Sequence, residues 1–123
     1  MHKLFQSFRY AWAGVRQCFF EERNFKIHTL AAVLAIGAGL FFKLPVSQTA
    51  AVLLAIALVM GAEIFNTAIE NTLDLICGEY NEKVKKTKDI AAGAVLICAI
   101  VAAVIGVMVF LPPFLEWMGW LSL

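Results

Sequence analysis

Residues 46–76 read VSQTAAVLLAIALVMGAEIFNTAIENTLDLI, and this stretch decides the fold. Its first 17 residues, 46–62, carry no formal charge and are apolar enough to cross much of a bilayer. Four polar residues then follow at spacings of three, four and four: Glu63, Asn66, Glu70 and Asp74. At about 100° per residue they fall within an arc of roughly 80°, so they share one helix face. An ionisable group at membrane depth is costly and usually serves a function, so this face is a candidate site. The alternative is that Glu70 and Asp74 simply lie in water beyond the membrane.

Composition indicates a membrane protein. Of the 123 residues, 62% are hydrophobic and only 15% are charged, whereas a soluble domain is about a quarter charged. We therefore expect an all-α membrane protein with a single domain over residues 1–123. The net charge of +1 argues against a nucleic-acid partner. The three cysteines lack metal-ligand spacing and are expected to be free thiols.

Apolar periodicity predicts four helices. Leu4, Phe8, Trp12, Val15 and Phe19 form an apolar stripe, which predicts an amphipathic helix over residues 1–25 lying in the membrane interface. An ordinary amphipathic helix packed on protein remains an alternative. Three transmembrane helices are predicted at about residues 27–43, 46–76 and 88–112.

Helix-terminating residues set the predicted limits of these spans. Pro45 precedes the second span and Ser47 is the candidate N-cap. Gly78 is a candidate stop for the same helix. Pro112 and Pro113 are expected to end the third span, because proline cannot donate a backbone hydrogen bond.

The basic residues predict the orientation. Five precede the first span, four lie between the second and third spans, and only Lys43 falls on the other side. They are Lys3, Arg9, Arg16, Arg23 and Lys26, followed by Lys83, Lys85, Lys86 and Lys88. The positive-inside rule therefore places the N-terminus and the acidic end of the second span in the cytoplasm, and the C-terminus outside. Trp117 and Trp120 are expected to anchor the outer side.

Carboxylates and lysines at one membrane face suggest phosphoryl transfer to a lipid. Carboxylates suit Mg²⁺, which is usually completed by substrate phosphates. Lys88 could balance phosphate charge, and Glu63 could act as a general base. However, the sequence has neither a G-x-x-x-x-G-K-[ST] nor a G-x-G-x-x-G nucleotide motif. On the residues alone, a non-catalytic ion pathway or an anionic-lipid-binding scaffold stays open.

Two segments resemble a known family. EIFNTAIENTLDLICGEYNEKVKKTKDIAAGAV, residues 63–95, resembles the integral-membrane bacterial diacylglycerol kinase and undecaprenol kinase family. YAWAGVRQCFFEERNFKIH, residues 10–28, is similar to the same family's N-terminal segment. Together with the three-span plan, the similarity covers nearly the whole chain. The resemblance implies an ATP-dependent lipid kinase in a bacterial cell membrane, with Mg²⁺ as cofactor.

The resemblance also implies residue roles. Glu63 corresponds to the catalytic base, and Glu22 and Glu70 correspond to the acids that bring Mg²⁺ to ATP. The implied ATP contacts are Lys3, Tyr10, Glu22, Glu70, Glu79, Tyr80, Asn81, Lys88 and Asp89. The implied lipid contacts are Arg16, Phe19, Asn24, Phe25, Glu63 and Asn66.

Three positions differ from the diacylglycerol kinase branch of that family. Lys3 stands in place of an arginine, Asn81 in place of a histidine and His28 in place of a glutamate. The form E-R-N-F-x-I-H over residues 22–28 is instead similar to the Gram-positive branch, whose members are undecaprenol kinases more than diacylglycerol kinases. Undecaprenol is therefore the expected acceptor, with diacylglycerol as the alternative.

A homotrimer with active sites shared between neighbouring chains is also implied by the resemblance. Independently, three spans cannot readily enclose both ATP and a lipid. Two ladders of small residues favour close helix contact. They are Ala31-Ala35-Gly39 and Ala94-Cys98-Ala102-Gly106. Packing within one subunit would explain these ladders equally well.

Overall fold

A computed structural model describes residues 1–119 of the chain, and Trp120 lies outside them. The described part consists of four helices: α1 (His2–Glu21), α2 (Arg23–Phe41), α3 (Val46–Ile76) and α4 (Glu82–Trp117). The last three are long and apolar enough to cross a membrane. The expected all-α architecture with three spanning helices is therefore confirmed.

One residue separates α1 from α2, which corrects the expected boundaries of 1–25 and 27–43. Glu22 is extended (φ −104°, ψ 116°) and serves as both the C-cap of α1 and the N-cap of α2. Its amide donates to the Cys18 carbonyl at 2.9 Å, and its own carbonyl accepts from the Lys26 amide at 3.2 Å. Both helices thus keep their terminal bonds at the corner. A carboxylate at the start of α2 also suits the positive end of that helix's dipole.

The α2–α3 turn is built on Lys43, which takes the left-handed conformation (φ 54°) that glycine usually occupies. The Leu44 amide bonds back to the Gly39 carbonyl at 3.1 Å, and the Lys43 amide bonds to the Leu40 carbonyl at 3.3 Å. These two bonds form a Schellman motif that closes α2. Pro45, not Ser47, is the N-cap of α3. The expectation for Ser47 is wrong because the fixed φ of Pro45 (−65°) already sets the entry into the helix.

Helix α4 is longer at both ends than the expected 88–112. It starts at Glu82 because the Asn81 side chain caps it, accepting from the amides of Lys83 (2.9 Å) and Val84 (3.3 Å). It continues through Pro112 and Pro113, so the expected stop there is wrong. The proline ring fits helical φ, and spanning helices tolerate the missing donors. The last turn is also held by Trp117, whose ring packs edge-on against Phe41 of α2 with centroids 5.9 Å apart.

Helix α3 is the centre of the fold. It packs most extensively on α4 and next on α2, while α2 and α4 touch only slightly. A cavity of about 290 Å³ remains between the three helices. Members of both small-residue ladders line it, including Ala31, Ala35, Ala102 and Gly106. Within this chain, these small residues therefore line a cavity between the helices as well as allowing the helices to pack closely.

The length of α3 explains why an acidic face follows an apolar span. At 1.5 Å per residue its 31 residues extend about 46 Å, well beyond a hydrocarbon core of roughly 30 Å. A helix of this length is therefore long enough to extend beyond the hydrocarbon core. The four polar residues of the acidic face, from position 63 to position 74, lie on the second half of α3. This half packs against the end of α1 and the starts of α2 and α4.

Candidate active site

The site begins as a continuation of the core. Val52, Ala55 and Val59 are buried on one face of α3, and the same face continues with Glu63 and Asn66. The spacings of three and four residues keep all five in one stripe. Glu63 is only 3% exposed, so the same burial that packs the apolar core also encloses a carboxyl group. Burial of this kind is tolerated where the group has a partner or a function.

Helix α2 supplies the partner of Glu63. The Nε2 atom of His28 lies 4.0 Å from Oε2 of Glu63. The carboxylates of Glu22 and Glu70 also lie close enough to interact electrostatically with Glu63. The α1–α2 corner and the polar half of α3 therefore converge on one carboxyl group.

Cys18 lies near the same carboxylates. Burial raises the pKa of its thiol, and the nearby carboxylates of Glu22, Glu21 and Glu63 add to the effect. The end of α1 thus faces the acidic part of α3. A buried thiol with a raised pKa is a poor nucleophile, so Cys18 fills space beside the site. Cys18, Cys77 and Cys98 are free, as expected.

Asn66 links Glu63 to Glu70 along α3. Its Nδ2 donates to Oε1 of Glu70 at 3.2 Å, which holds the Glu70 carboxylate on the site face. Its Oδ1 is buried and has no hydrogen-bond partner. A buried acceptor without a donor from the protein can accept a hydrogen bond from water or from a substrate hydroxyl.

The lysine-rich start of α4 contacts α3 through one ion pair. Nζ of Lys88 lies 2.7 Å from Oδ1 of Asp74, and Glu70 is close enough to influence Lys88. One turn earlier on α4, Lys85 pairs with Asp89 at 2.7 Å. Lys88 is thereby held next to the carboxylate face of α3, while Asp89 is engaged within its own helix.

The carboxylates fit a metal that retains other ligands. Within residues 1–119, no three Asp, Glu, His or Cys side chains are close enough to form a metal site by themselves. Glu22 and Glu70, which both influence Glu63 electrostatically, offer hard oxygen donors, and the free Oδ1 of Asn66 adds a neutral oxygen. This donor set suits Mg²⁺, which binds through one or two carboxylates plus waters and substrate phosphates.

The other residues expected to contact ATP lie further out. Lys3 and Tyr10 are exposed on α1, and Glu79 and Tyr80 are exposed in the α3–α4 loop. No hydrogen bond or ion pair in the described chain joins Tyr10 or Tyr80 to the acidic face. Asn81 uses its side-chain oxygen to cap α4. The described chain therefore gathers the acids and Lys88, without a polar contact from Tyr10 or Tyr80.

The residues expected to contact lipid occupy different environments. Phe25 is 2% exposed and belongs to the packed core. Arg16 lies over the Phe20 ring, 5.7 Å from its centroid, while Phe19 and Asn24 are exposed. Helix α1 also exposes Leu4, Phe8 and Trp12, which follow its apolar stripe.

Sequence comparisons identify the family of the chain. The family model described as prokaryotic diacylglycerol kinase matches residues 9–110. The chain belongs to that family. A diacylglycerol kinase from Synechocystis is 47% identical over 116 residues, covering 94% of this chain and 66% of the relative, so the chain spans about two thirds of that protein. An undecaprenol kinase from Bacillus subtilis is 36% identical over 112 residues, covering 91% of each.

A third relative extends the comparison. The diacylglycerol kinase from Escherichia coli K12 is 34% identical over 95 residues, covering 77% of this chain and 78% of the relative. Members of this family are named as lipid kinases, so the chain falls in an enzyme class and the non-catalytic alternative is not supported. With three spanning helices, it is a membrane protein.

Two contacts of the candidate site were not predicted from the sequence. From the sequence, His28 stands out only as a difference between branches of the family, yet its Nε2 atom lies 4.0 Å from the Glu63 carboxyl group. Asp74 shares the acidic face of α3, but only the structure shows that it binds Lys88. In the sequence, His28 is a single histidine at the start of an apolar span, and such a residue alone does not predict a contact with Glu63.

Proposed function

We propose that this protein transfers the γ-phosphoryl group of Mg-ATP to the hydroxyl of a membrane lipid, at the cytoplasmic surface of a bacterial cell membrane. The observation that carries the proposal is the burial of Glu63 within the polar face of α3, beside Glu22, Glu70 and His28. A carboxylate at the edge of an apolar span can contact a lipid hydroxyl, and its burial limits access of competing water. Membership of a lipid kinase family supports the same conclusion.

Three residues of the chain have separate proposed roles in the reaction. Glu63 accepts the proton of the lipid hydroxyl as the oxygen attacks the γ-phosphorus and the bond to ADP breaks. Oδ1 of Asn66, which lacks a partner, can accept a hydrogen bond at the same face and help to hold the acceptor. Lys88, which now pairs with Asp74, supplies positive charge for the transferred group.

Glu22 and Glu70 would hold Mg²⁺ with the ATP phosphates, and the ion supplies charge neutralisation when bound. Lys3, Tyr10, Glu79, Tyr80, Asn81 and Asp89 are proposed as further ATP contacts. Arg16, Phe19, Asn24 and Phe25 are proposed to border the lipid. For Phe25, whose ring is buried, this role is to shape the wall behind the lipid.

We propose undecaprenol as the preferred acceptor. The segment ERNFKIH, residues 22–28, supports this choice because its form is similar to the undecaprenol kinase branch. Diacylglycerol is the second candidate, favoured by the 47% identity to the Synechocystis protein of that name.

The assembly and the orientation are also proposals. Separation of Tyr10 and Tyr80 from the acidic face within one chain supports a homotrimer in which a neighbour completes each site. The exposed apolar stripe of α1 supports a position in the membrane interface. The distribution of lysine and arginine supports a cytoplasmic N-terminus and an external C-terminus.

One assay tests the function and the acceptor together. Detergent-purified protein is incubated with labelled ATP, Mg²⁺ and either undecaprenol or diacylglycerol, and the label in the lipid fraction is measured. We expect transfer to both lipids, with the higher kcat/KM for undecaprenol. Transfer to neither lipid, from protein that is folded and dispersed, would reject the proposed function. A higher kcat/KM for diacylglycerol would reject only the choice of acceptor.

A further inference from the structure

His28 occupies a position that connects a buried group with the exterior. It lies about one and a half turns into α2 and lines the cavity between α2, α3 and α4. Its side chain is 25% exposed, whereas that of Glu63 is 4% exposed. Since Nε2 of His28 lies 4.0 Å from Oε2 of Glu63, the imidazole spans the boundary between the enclosed carboxyl group and the surface.

The proposed reaction leaves a proton on Glu63 that must depart before the next turnover. The carboxyl group is nearly sealed from solvent, and on the membrane side its face of α3 continues with Val59 and Ala55. Of the other ionisable neighbours, Glu22 and Glu70 are the proposed metal ligands, and a proton on either would weaken metal binding. The Cys18 thiol is buried as well. Among the neighbours that are not proposed metal ligands, His28 is therefore the one that is both close and partly exposed.

We propose that His28 is a positioning residue for Glu63 and receives its proton after each transfer; this inference rests on the proposed function. The lipid O–H bond breaks, its proton goes to the Glu63 carboxylate, and the oxygen forms a bond to the γ-phosphorus as the bond to ADP breaks. The Glu63 carboxyl proton then passes to the unprotonated Nε2 of His28, regenerating the carboxylate. The imidazolium releases a proton to water, so each turnover yields ADP, phospholipid and one proton.

The distance is compatible with this role. A separation of 4.0 Å is too long for a direct hydrogen bond. Catalytic hydrogen bonds are often long before substrate binds, and one water can bridge polar groups at such a separation. Nε2 must be the acceptor, so Nδ1 carries the hydrogen in the neutral ring.

Two variants separate proton transfer from a purely structural role. His28→Gln keeps a polar group that can hold the Glu63 carboxylate, but an amide cannot accept the proton. His28→Ala removes the ring and leaves space for free imidazole next to Glu63. His2→Ala is the matched control, because His2 is exposed at the start of α1 and is the chain's other histidine.

We expect His28→Gln to lower kcat about a hundredfold, the usual scale for acid–base participation, with the KM for ATP within about twofold. His28→Ala should be similarly slow, and added imidazole should raise the kcat of this variant at least tenfold. His28→Gln and His2→Ala should not respond to imidazole. Each variant is compared with wild type by its elution volume in the same detergent.

The outcomes distinguish the two proposals. If wild type transfers phosphate but His28→Gln has wild-type kcat, His28 has no proton-transfer role and the inference is overturned. Correctly assembled His28→Ala that is slow yet unresponsive to imidazole also overturns it. If wild type transfers phosphate to neither lipid, the proposed function fails. If wild type and Glu63→Gln are equally active, the assignment of Glu63 fails.

Discussion

At the residue scale, Glu63 determines whether the proposed chemistry is correct. Glu63→Gln keeps the size and hydrogen-bonding capacity of the side chain but removes its basicity. We expect kcat to fall roughly a hundredfold or more, while ATP binding changes little. Stability in detergent should hold or rise, because a neutral amide is less costly than a carboxylate at this depth. The measurements are lipid phosphorylation, equilibrium ATP binding and thermal unfolding.

Glu82 offers a matched control for Glu63. It lies in the first turn of α4, where its exposed side chain pairs loosely with Lys86 at 4.0 Å. Glu82→Gln makes the same chemical change on a solvated surface and should leave kcat unaltered. Near-wild-type kcat for Glu63→Gln would make Glu63 a packing residue, and the mechanism would have to be abandoned.

Glu70 tests the metal assignment. Glu70→Gln removes a carboxylate charge but keeps an oxygen and can still bond to Asn66. We therefore expect intact assembly and a raised Mg²⁺ requirement, with activity partly recovered at high Mg²⁺. The measurement is activity against Mg²⁺ concentration at fixed ATP. An unchanged Mg²⁺ dependence would contradict a role for Glu70 in holding the ion.

The sequence predicts the site only along one helix. Periodicity places Glu63, Asn66 and Glu70 on one face of α3, because helical spacing alone sets which residues share a face. It does not predict the contacts of His28 with Glu63 or of Lys88 with Asp74, since both depend on how separate helices pack. The role of Glu22 came from family resemblance, and its location at a helix corner came from the structure.

At the level of helices and loops, Asn81 has one observed role and one proposed role. Its side chain caps α4, and it is also a proposed ATP contact. Asn81→Ala should cost about 1 kcal/mol of stability through loss of the cap. Asn81→Asp should retain the cap and therefore the stability. Thermal or denaturant unfolding in detergent measures both values.

The same pair of variants tests the ATP contact. If Asn81 binds ATP through its amide, Asn81→Asp should raise the KM for ATP without loss of stability, because a carboxylate repels the phosphates and offers no N–H donor. If the KM is unchanged in Asn81→Asp, Asn81 is a capping residue only.

Helix ends were the least predictable elements, for a physical reason. Pro112 and Pro113 lack backbone donors, which ordinarily ends a helix in water, yet α4 continues to Trp117. The contact of Trp117 with Phe41 on α2 provides tertiary support for that last turn. By contrast, the three apolar spans are evident from composition, because hydropathy over about 20 residues does not depend on packing partners.

At the scale of the whole molecule, the candidate site of the single chain lacks polar contacts to the ATP-binding residues proposed on α1. The chain brings Glu22, Glu70 and His28 to Glu63, but Lys3 and Tyr10 on α1 remain exposed and make no polar contact with that face. Helix α1 also exposes an aromatic and aliphatic stripe that a membrane surface or a neighbouring chain would cover. Both features are explained if α1 of one chain serves the acidic face of the next.

Mixed oligomers test that arrangement directly. One chain carries Glu63→Gln with an intact α1, and the other carries Lys3→Ala and Tyr10→Ala with an intact acidic face. Each homo-oligomer should be weakly active, since each lacks one part of every site. Co-expression with two different tags and tandem purification isolates oligomers that contain both chains. If α1 acts on a neighbour, some sites in these oligomers combine two intact parts, and activity should rise well above that of either homo-oligomer. Activity no higher than the average of the two homo-oligomers would show that each chain builds its own site, because no chain in the mixture carries both intact parts.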